Sequence, residues 1–99
     1  LVISLLPADA IGYRLRARAQ FMALKLGAAV DDYGHAISRD PENGRLLMDR
    51  ARALYLQARY QDALQDWNAA VLLSPSFRTE AKAYISYLEG KGVFGKKTK

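Results

Sequence analysis

Apolar residues recur at intervals of three and four along most of the chain, which is the spacing of one face of an α-helix. Asp9 is placed to cap the first predicted helix, and Gly27 to break the run after it. Asn43-Gly44 is a turn signal, while Pro41 and Pro75 end the second and fourth helices. The predicted helices cover about residues 10–24, 28–38, 46–55, 63–71 and 79–89.

The whole pattern returns after 34 residues. A period of this size indicates one supersecondary unit stacked on copies of itself. Pro7 lies one period before Pro41, so we expect residues 1–7 to end an earlier repeat and the chain to be an excerpt of a longer protein. Eight positions are identical between residues 10–43 and 44–77: Arg16/Arg50, Ala17/Ala51, Arg18/Arg52, Ala19/Ala53, Ala29/Ala63, Asp32/Asp66, Ala36/Ala70 and Pro41/Pro75.

The repeated positions resemble the tetratricopeptide repeat (TPR) family. The resemblance is carried first by Tyr13, Ala17, Phe21, Ala29, Tyr33, Ala36 and Pro41, then by Leu47, Ala51, Leu54, Tyr60, Ala63, Trp67, Ala70 and Pro75. It implies an all-α fold, a right-handed α–α solenoid of antiparallel helix pairs with a C-terminal capping helix. Arg16 and Arg50 depart from the family's usual Leu, and Leu26 stands where Tyr is common.

The predicted domain organisation is a TPR-like repeat domain over residues 1–89, followed by a basic, flexible tail over residues 90–99. The repeat domain comprises the end of a preceding repeat (1–7), two complete repeats (10–43 and 44–77) and a capping helix (79–89).

The resemblance places binding on the concave surface, which the first helix of each pair lines. The two first helices hold six arginines and one acid, Asp49, whereas the second helices hold Asp31, Asp32, Asp62 and Asp66 against Arg39. We therefore predict a basic inner face and an acidic outer face. The predicted partner-binding residues are Arg14, Arg18, Phe21, Arg45, Met48, Arg52, Tyr55 and Lys82.

The function expected from this surface is a protein- or peptide-binding scaffold that presents a basic concave groove to an acidic or extended segment of a partner protein. Two alternatives remain open. One is a structural segment that self-associates through the ends of the array. The other, less favoured, is nucleic-acid binding through Arg16, Arg18, Arg50, Arg52 and the basic tail. A chaperone-type carboxylate clamp is not assigned, because its Asn residues are missing, and Asp49 is expected to pair with Arg45 or Arg52.

The amino-acid composition reduces the number of possible functions. The 99 residues suffice for one domain, and a formal charge of +5 favours acidic partners. The absence of Cys excludes disulfides and thiolate zinc sites, and His35 is the only histidine, so we predict no metal site, no cofactor and no enzyme activity. The apolar run at residues 1–6 is too short to span a bilayer, which predicts no membrane insertion. The sequence leaves the compartment open.

Overall fold

The computed structural model describes residues 10–90, whose regular structure is entirely helical. The predicted all-α class is confirmed for these residues. The predicted end of an earlier repeat at residues 1–7, the Asp9 cap and the tail beyond Gly90 lie outside them. The helices are α1 (Ala10–Met22), α2 (Leu26–Arg39), α3 (Gly44–Leu56), α4 (Tyr60–Leu73) and α5 (Arg78–Gly90), with a 3₁₀ turn at Pro75–Phe77 before α5.

Alanines at equivalent positions of the two repeats form the contacts between helices. Helix α1 packs on α2, α3 on α4, and α2 on α3. Small side chains at these crossings let the helix axes approach to about 8–10 Å. The large rings of Tyr33 and Trp67 lie buried beside them, 2% and 0% exposed. The fully buried alanines include Ala17, Ala29 and Ala36 in the first repeat and Ala51, Ala63 and Ala70 in the second.

The turns inside the two helix pairs have the same backbone conformation. Leu24 and Ala58 both have positive φ, 61° and 64°. The amides of Lys25 and Arg59 donate to carbonyls five residues back, over 2.8 and 2.9 Å, which completes a Schellman motif at each helix end. Gly27 does not break the helix as predicted, because the left-handed residue is three positions earlier and α2 begins at Leu26.

Helix α3 begins directly after the predicted turn at Asn43-Gly44. The Asn43 side chain accepts from the Arg45 amide over 3.1 Å and donates to Asp40 over 3.1 Å, so Asn43 is the N-cap and Gly44 the first helical residue. A Cβ on Gly44 would lie 2.8 Å from the ring of Phe77. Glycine at this position therefore permits the close approach of the 3₁₀ turn to α3.

Helix α5 covers the second repeat through an aromatic stack. The ring of Tyr84 lies parallel to that of Trp67, with centroids 4.6 Å apart and an interplanar angle of 10°. Ala81 and Leu88 of the same helix are also buried. Gly90, predicted to open the tail, is the final residue of α5.

Candidate functional site

Two of the six arginines on α1 and α3 are bound to buried aspartates of the following helix. Arg16 donates from Nε and Nη2 to both carboxylate oxygens of Asp32, over 2.5 and 2.9 Å. Arg50 binds Asp66 in the same way, over 2.7 and 2.9 Å. The hydrogen bond that Arg50 donates to Asp66 raises the pKa of Arg50, so the guanidinium keeps its charge. These pairs join each first helix to its second helix.

The pairing corrects the predicted division into a basic inner face and an acidic outer face. Asp32 and Asp66 are 5% and 6% exposed, so they do not contribute to an acidic surface. Arg16 and Arg50 are held at the helix–helix contacts and are not free to form a basic surface with the other arginines. Of the four aspartates that were expected on the acidic outer face, only Asp31 and Asp62 are exposed.

The positive charges of the other four arginines attract one buried carboxylate. We call these four residues the arginine cluster: Arg14, Arg18, Arg45 and Arg52. The carboxylate is that of Asp49, which is 9% exposed. Burial raises the pKa of Asp49 above its ordinary value, while the positive charges of the cluster act in the opposite direction. Helices α1 and α3 supply two arginines each, so the cluster forms where the first helices of the two repeats meet.

The hydroxyl of Tyr33 is affected by some of the same charges as the carboxylate of Asp49. Burial raises the pKa of Tyr33 to about 12, and the negative charge of Asp49 acts in the same direction. Arg18, Arg52 and Arg14 oppose this shift. Tyr33 is on α2, so its buried hydroxyl is within the range of charges carried by both α1 and α3.

Arg45 is the member of the cluster that is most engaged by the rest of the fold. It donates two hydrogen bonds to Glu80 of α5, over 3.1 and 3.3 Å, and its guanidinium lies 4.8 Å from the centroid of Phe77. It also lies 3.7 Å from Asp49, so one of the two predicted pairings of Asp49 is confirmed. Arg45 therefore ties the cluster to α5.

Arg14, Arg18 and Arg52 have a different environment. Within residues 10–90 no ion pair joins any of the three to a carboxylate. The guanidinium of Arg52 lies 5.0 Å from the ring centroid of Phe21, which orients it without neutralising it. Among the described residues, these three side chains are the cations of the cluster that form no ion pair and can therefore bind an external anion.

A cleft of about 200 Å³ opens beside Arg52. Two further predicted binding residues, Phe21 and Tyr55, line it together with Arg52, so the structure places them next to the cluster. We call it the aromatic cleft; its walls are Phe21, Arg52, Tyr55, Leu56 and Tyr84.

Two of the predicted binding residues lie elsewhere. Met48 is 0% exposed and packs in the core with Trp67, so its placement on the binding surface is wrong. It is buried because α3 has neighbours on most of its circumference, whereas the equivalent Arg14 is on the outermost described helix. Lys82 lines a separate cleft between α4 and α5, with Arg78 and Glu89, and this cleft contains no member of the arginine cluster.

Sequence reasoning paired Asp49 with Arg45 or Arg52 but missed that all four arginines of the cluster act on it, and it missed the role of Tyr84 as a cleft wall. Both depend on contacts between helices that the periodic pattern does not specify. The Arg16–Asp32 and Arg50–Asp66 pairs did leave a signal, because all four residues are identical between the repeats and are separated by the same sixteen positions.

Other chemistry is sparse in the part of the chain that the structure describes. His35 is exposed and lies 5.1 Å from the ring of Tyr13, and no three His, Cys, Asp or Glu residues within 10–90 are grouped to hold a metal ion. None of helices α1 to α5 has the length and apolar character needed to cross a membrane. Comparison with known proteins finds no family model and no curated protein that matches the chain.

Proposed function

We propose that this chain is a protein-binding scaffold whose arginine cluster binds an acidic segment of a partner protein. One observation carries the proposal: four guanidinium groups act on a single buried carboxylate, and three of them have no ion pair among the described residues. Arginines in this arrangement bind external carboxylates well, since each can donate two parallel hydrogen bonds. No catalytic step is part of the proposal.

The repeat architecture supports the same location. If the helix pairs stack as in the TPR family that the sequence resembles, α1 and α3 line the concave surface of a right-handed solenoid. The arginine cluster comes from these two helices. An extended or helical segment lying across them would meet Arg14 and Arg18 on one helix and Arg52 on the next, which suits a ligand with several acidic residues.

Asp49 competes with such a ligand, because its carboxylate already attracts the four arginines. Asp49→Asn keeps the side-chain shape and removes the negative charge. We expect it to bind an acidic peptide about tenfold more tightly than the wild type, since an anion next to the site no longer repels the ligand. Asp31→Asn, which makes the same charge change at an exposed position on α2, is the matched control.

The direct test uses fluorescence anisotropy of a labelled poly-Glu peptide at low salt. Arg18→Glu/Arg52→Glu should abolish binding. Arg59→Glu/Arg78→Glu changes the net charge equally but lies outside the cluster, so it should retain most of the affinity. Equal loss in both double variants would show that only the overall charge matters and would refute the site. Circular dichroism establishes that all variants keep their helix content.

A second candidate function, self-association through the end of the array, is favoured by exposed apolar side chains on α1. Leu15 and Met22 are 46% and 76% exposed, whereas Asp49, one period after Leu15, is 9% exposed because α3 is covered. A second copy or a neighbouring repeat would cover α1 in the same way. Sedimentation equilibrium tests this, and a strictly monomeric chain at high concentration would remove its support.

A further inference from the structure

The aromatic cleft is of the size that suits one side chain. At about 200 Å³ it is smaller than the 300–1,000 Å³ pockets that hold cofactors and drug-sized ligands. Its walls are three aromatic residues, a leucine and an arginine. Leu56 is 52% exposed at the rim, so a ligand side chain that enters would cover apolar surface that now faces water.

The cleft and the arginine cluster are parts of one continuous surface. Arg18 and Phe21 are three residues apart on α1, and Arg52 precedes Leu56 by four residues on α3, so each arginine is on the same helix face as a cleft wall. Arg52 belongs to both, since it lines the cleft and acts on Asp49. A carboxylate bound by Arg52 would therefore lie at the mouth of the cleft.

We infer that the cleft binds one large apolar side chain of the acidic segment, carried by a residue adjacent to the acid that Arg52 binds. The inference rests on the proposed function and narrows its ligand class. The favoured ligands are segments in which Asp or Glu stands next to Phe, Leu or Met. Uniformly acidic segments bind more weakly, because they leave the apolar walls of the cleft in water.

The single tryptophan of the chain reports on occupancy of the cleft. Trp67 is fully buried and stacks on Tyr84 at 4.6 Å, and Tyr84 is a wall of the cleft. A side chain that enters will contact Tyr84 and alter the surroundings of the indole. Its fluorescence thus responds to apolar contact in the cleft, whereas anisotropy of a labelled peptide responds to binding anywhere.

The test compares three synthetic peptides without tryptophan: a glutamate-rich peptide with one central Phe, the same peptide with Ala for Phe, and the Phe peptide with Gln for every Glu. They are titrated against the wild type, Leu56→Ser and the control Leu72→Ser, whose leucine is 85% exposed outside the cleft. For the wild type and the control, replacing Phe by Ala should weaken binding about tenfold. For Leu56→Ser this loss should be clearly smaller.

The outcomes separate the two proposals. If the Phe and Ala peptides bind the wild type equally, the cleft does not bind the apolar side chain and the inference fails, while binding of an acidic segment stands. The same conclusion follows if replacing Phe by Ala weakens binding equally for the wild type and for Leu56→Ser. Unchanged Trp67 emission at saturation with the Phe peptide would also overturn it. If the Gln peptide binds as tightly as the Glu peptide, the proposed function fails as well.

Discussion

The pair formed by Arg50 and Asp66 allows a quantitative test of what holds the helix pairs together. Arg50→Leu places the residue usual in the TPR family at this position and removes the partner of a buried carboxylate. The carboxyl group of Asp66 is then left without this partner in a site where its side chain is 9% exposed. The variant is therefore expected to lose stability even though it makes the contact more apolar.

The magnitude follows from the burial of the two partners. Breaking a buried ion pair by removing one partner costs about 3–5 kcal/mol. Because the Arg50 side chain is 28% exposed, we expect the lower end, about 3 kcal/mol, for Arg50→Leu. Asp66→Ala should cost about 1–2 kcal/mol, since the long arginine stem lets the guanidinium turn toward water. The double variant should lie within about 1 kcal/mol of the wild type, since neither charge is left buried alone.

The assay is a double-mutant cycle in urea, followed by both far-UV circular dichroism and Trp67 fluorescence. Coincident transitions and unchanged m-values are needed to equate midpoint shifts with stability. The first repeat supplies an internal comparison. Arg16 is 47% exposed in its pair with Asp32, so the same cycle there should give a smaller coupling energy.

The reasoning would be refuted by additivity. If the double variant is as unstable as the sum of its parts, the two residues act independently and the bidentate contact does not hold α3 to α4. A cost below about 1 kcal/mol for Arg50→Leu would mean that the carboxylate of Asp66 is solvated once its partner is gone, against the burial seen here.

Three further predictions concern the backbone and pH. Gly44→Ala should destabilise the fold by about 1–3 kcal/mol, because its Cβ would lie 2.8 Å from the Phe77 ring. The control Gly27→Ala should not destabilise it, because the nearest atom to that Cβ is 3.8 Å away. Equal urea midpoints for the two variants would contradict this. Ala58→Gly should stabilise by roughly 0.5–1 kcal/mol by relieving a φ of 64°, and an unchanged thermal midpoint would count against it. Since burial raises the pKa of Tyr33 from 10 to about 12, its contribution to stability is complete below pH 10 and is lost as pH rises to 12. The free energy of unfolding of the wild type relative to Tyr33→Phe should therefore fall by up to about 3 kcal/mol across that window. If urea unfolding gives the two proteins parallel stability profiles over this pH range, folding does not raise the pKa of the Tyr33 hydroxyl.

How far the site could be predicted differs from residue to residue. Arg14, Arg18, Arg45 and Arg52 were chosen from the sequence because they stand at the expected concave-face positions of the two first helices, and in the structure all four charges act on Asp49. Lys82 was chosen by extending the same register to α5. In the structure Lys82 lines a different cleft, with Arg78 and Glu89, and its part in binding stays a prediction.

By itself the sequence determined the helices and the small buried positions, because a helical period and an alanine at each crossing are local features that a 34-residue repeat displays twice. Only the tertiary structure decided how the arginines are used. A long guanidinium side chain can reach several partners. Helix α2 offers Arg16 a buried carboxylate, while Arg18, two residues later, forms no ion pair within residues 10–90. Arg16 and Arg18 point about 200° apart around α1, which helical geometry already implies, but which of the two directions meets the buried Asp32 is set by how α1 and α2 cross.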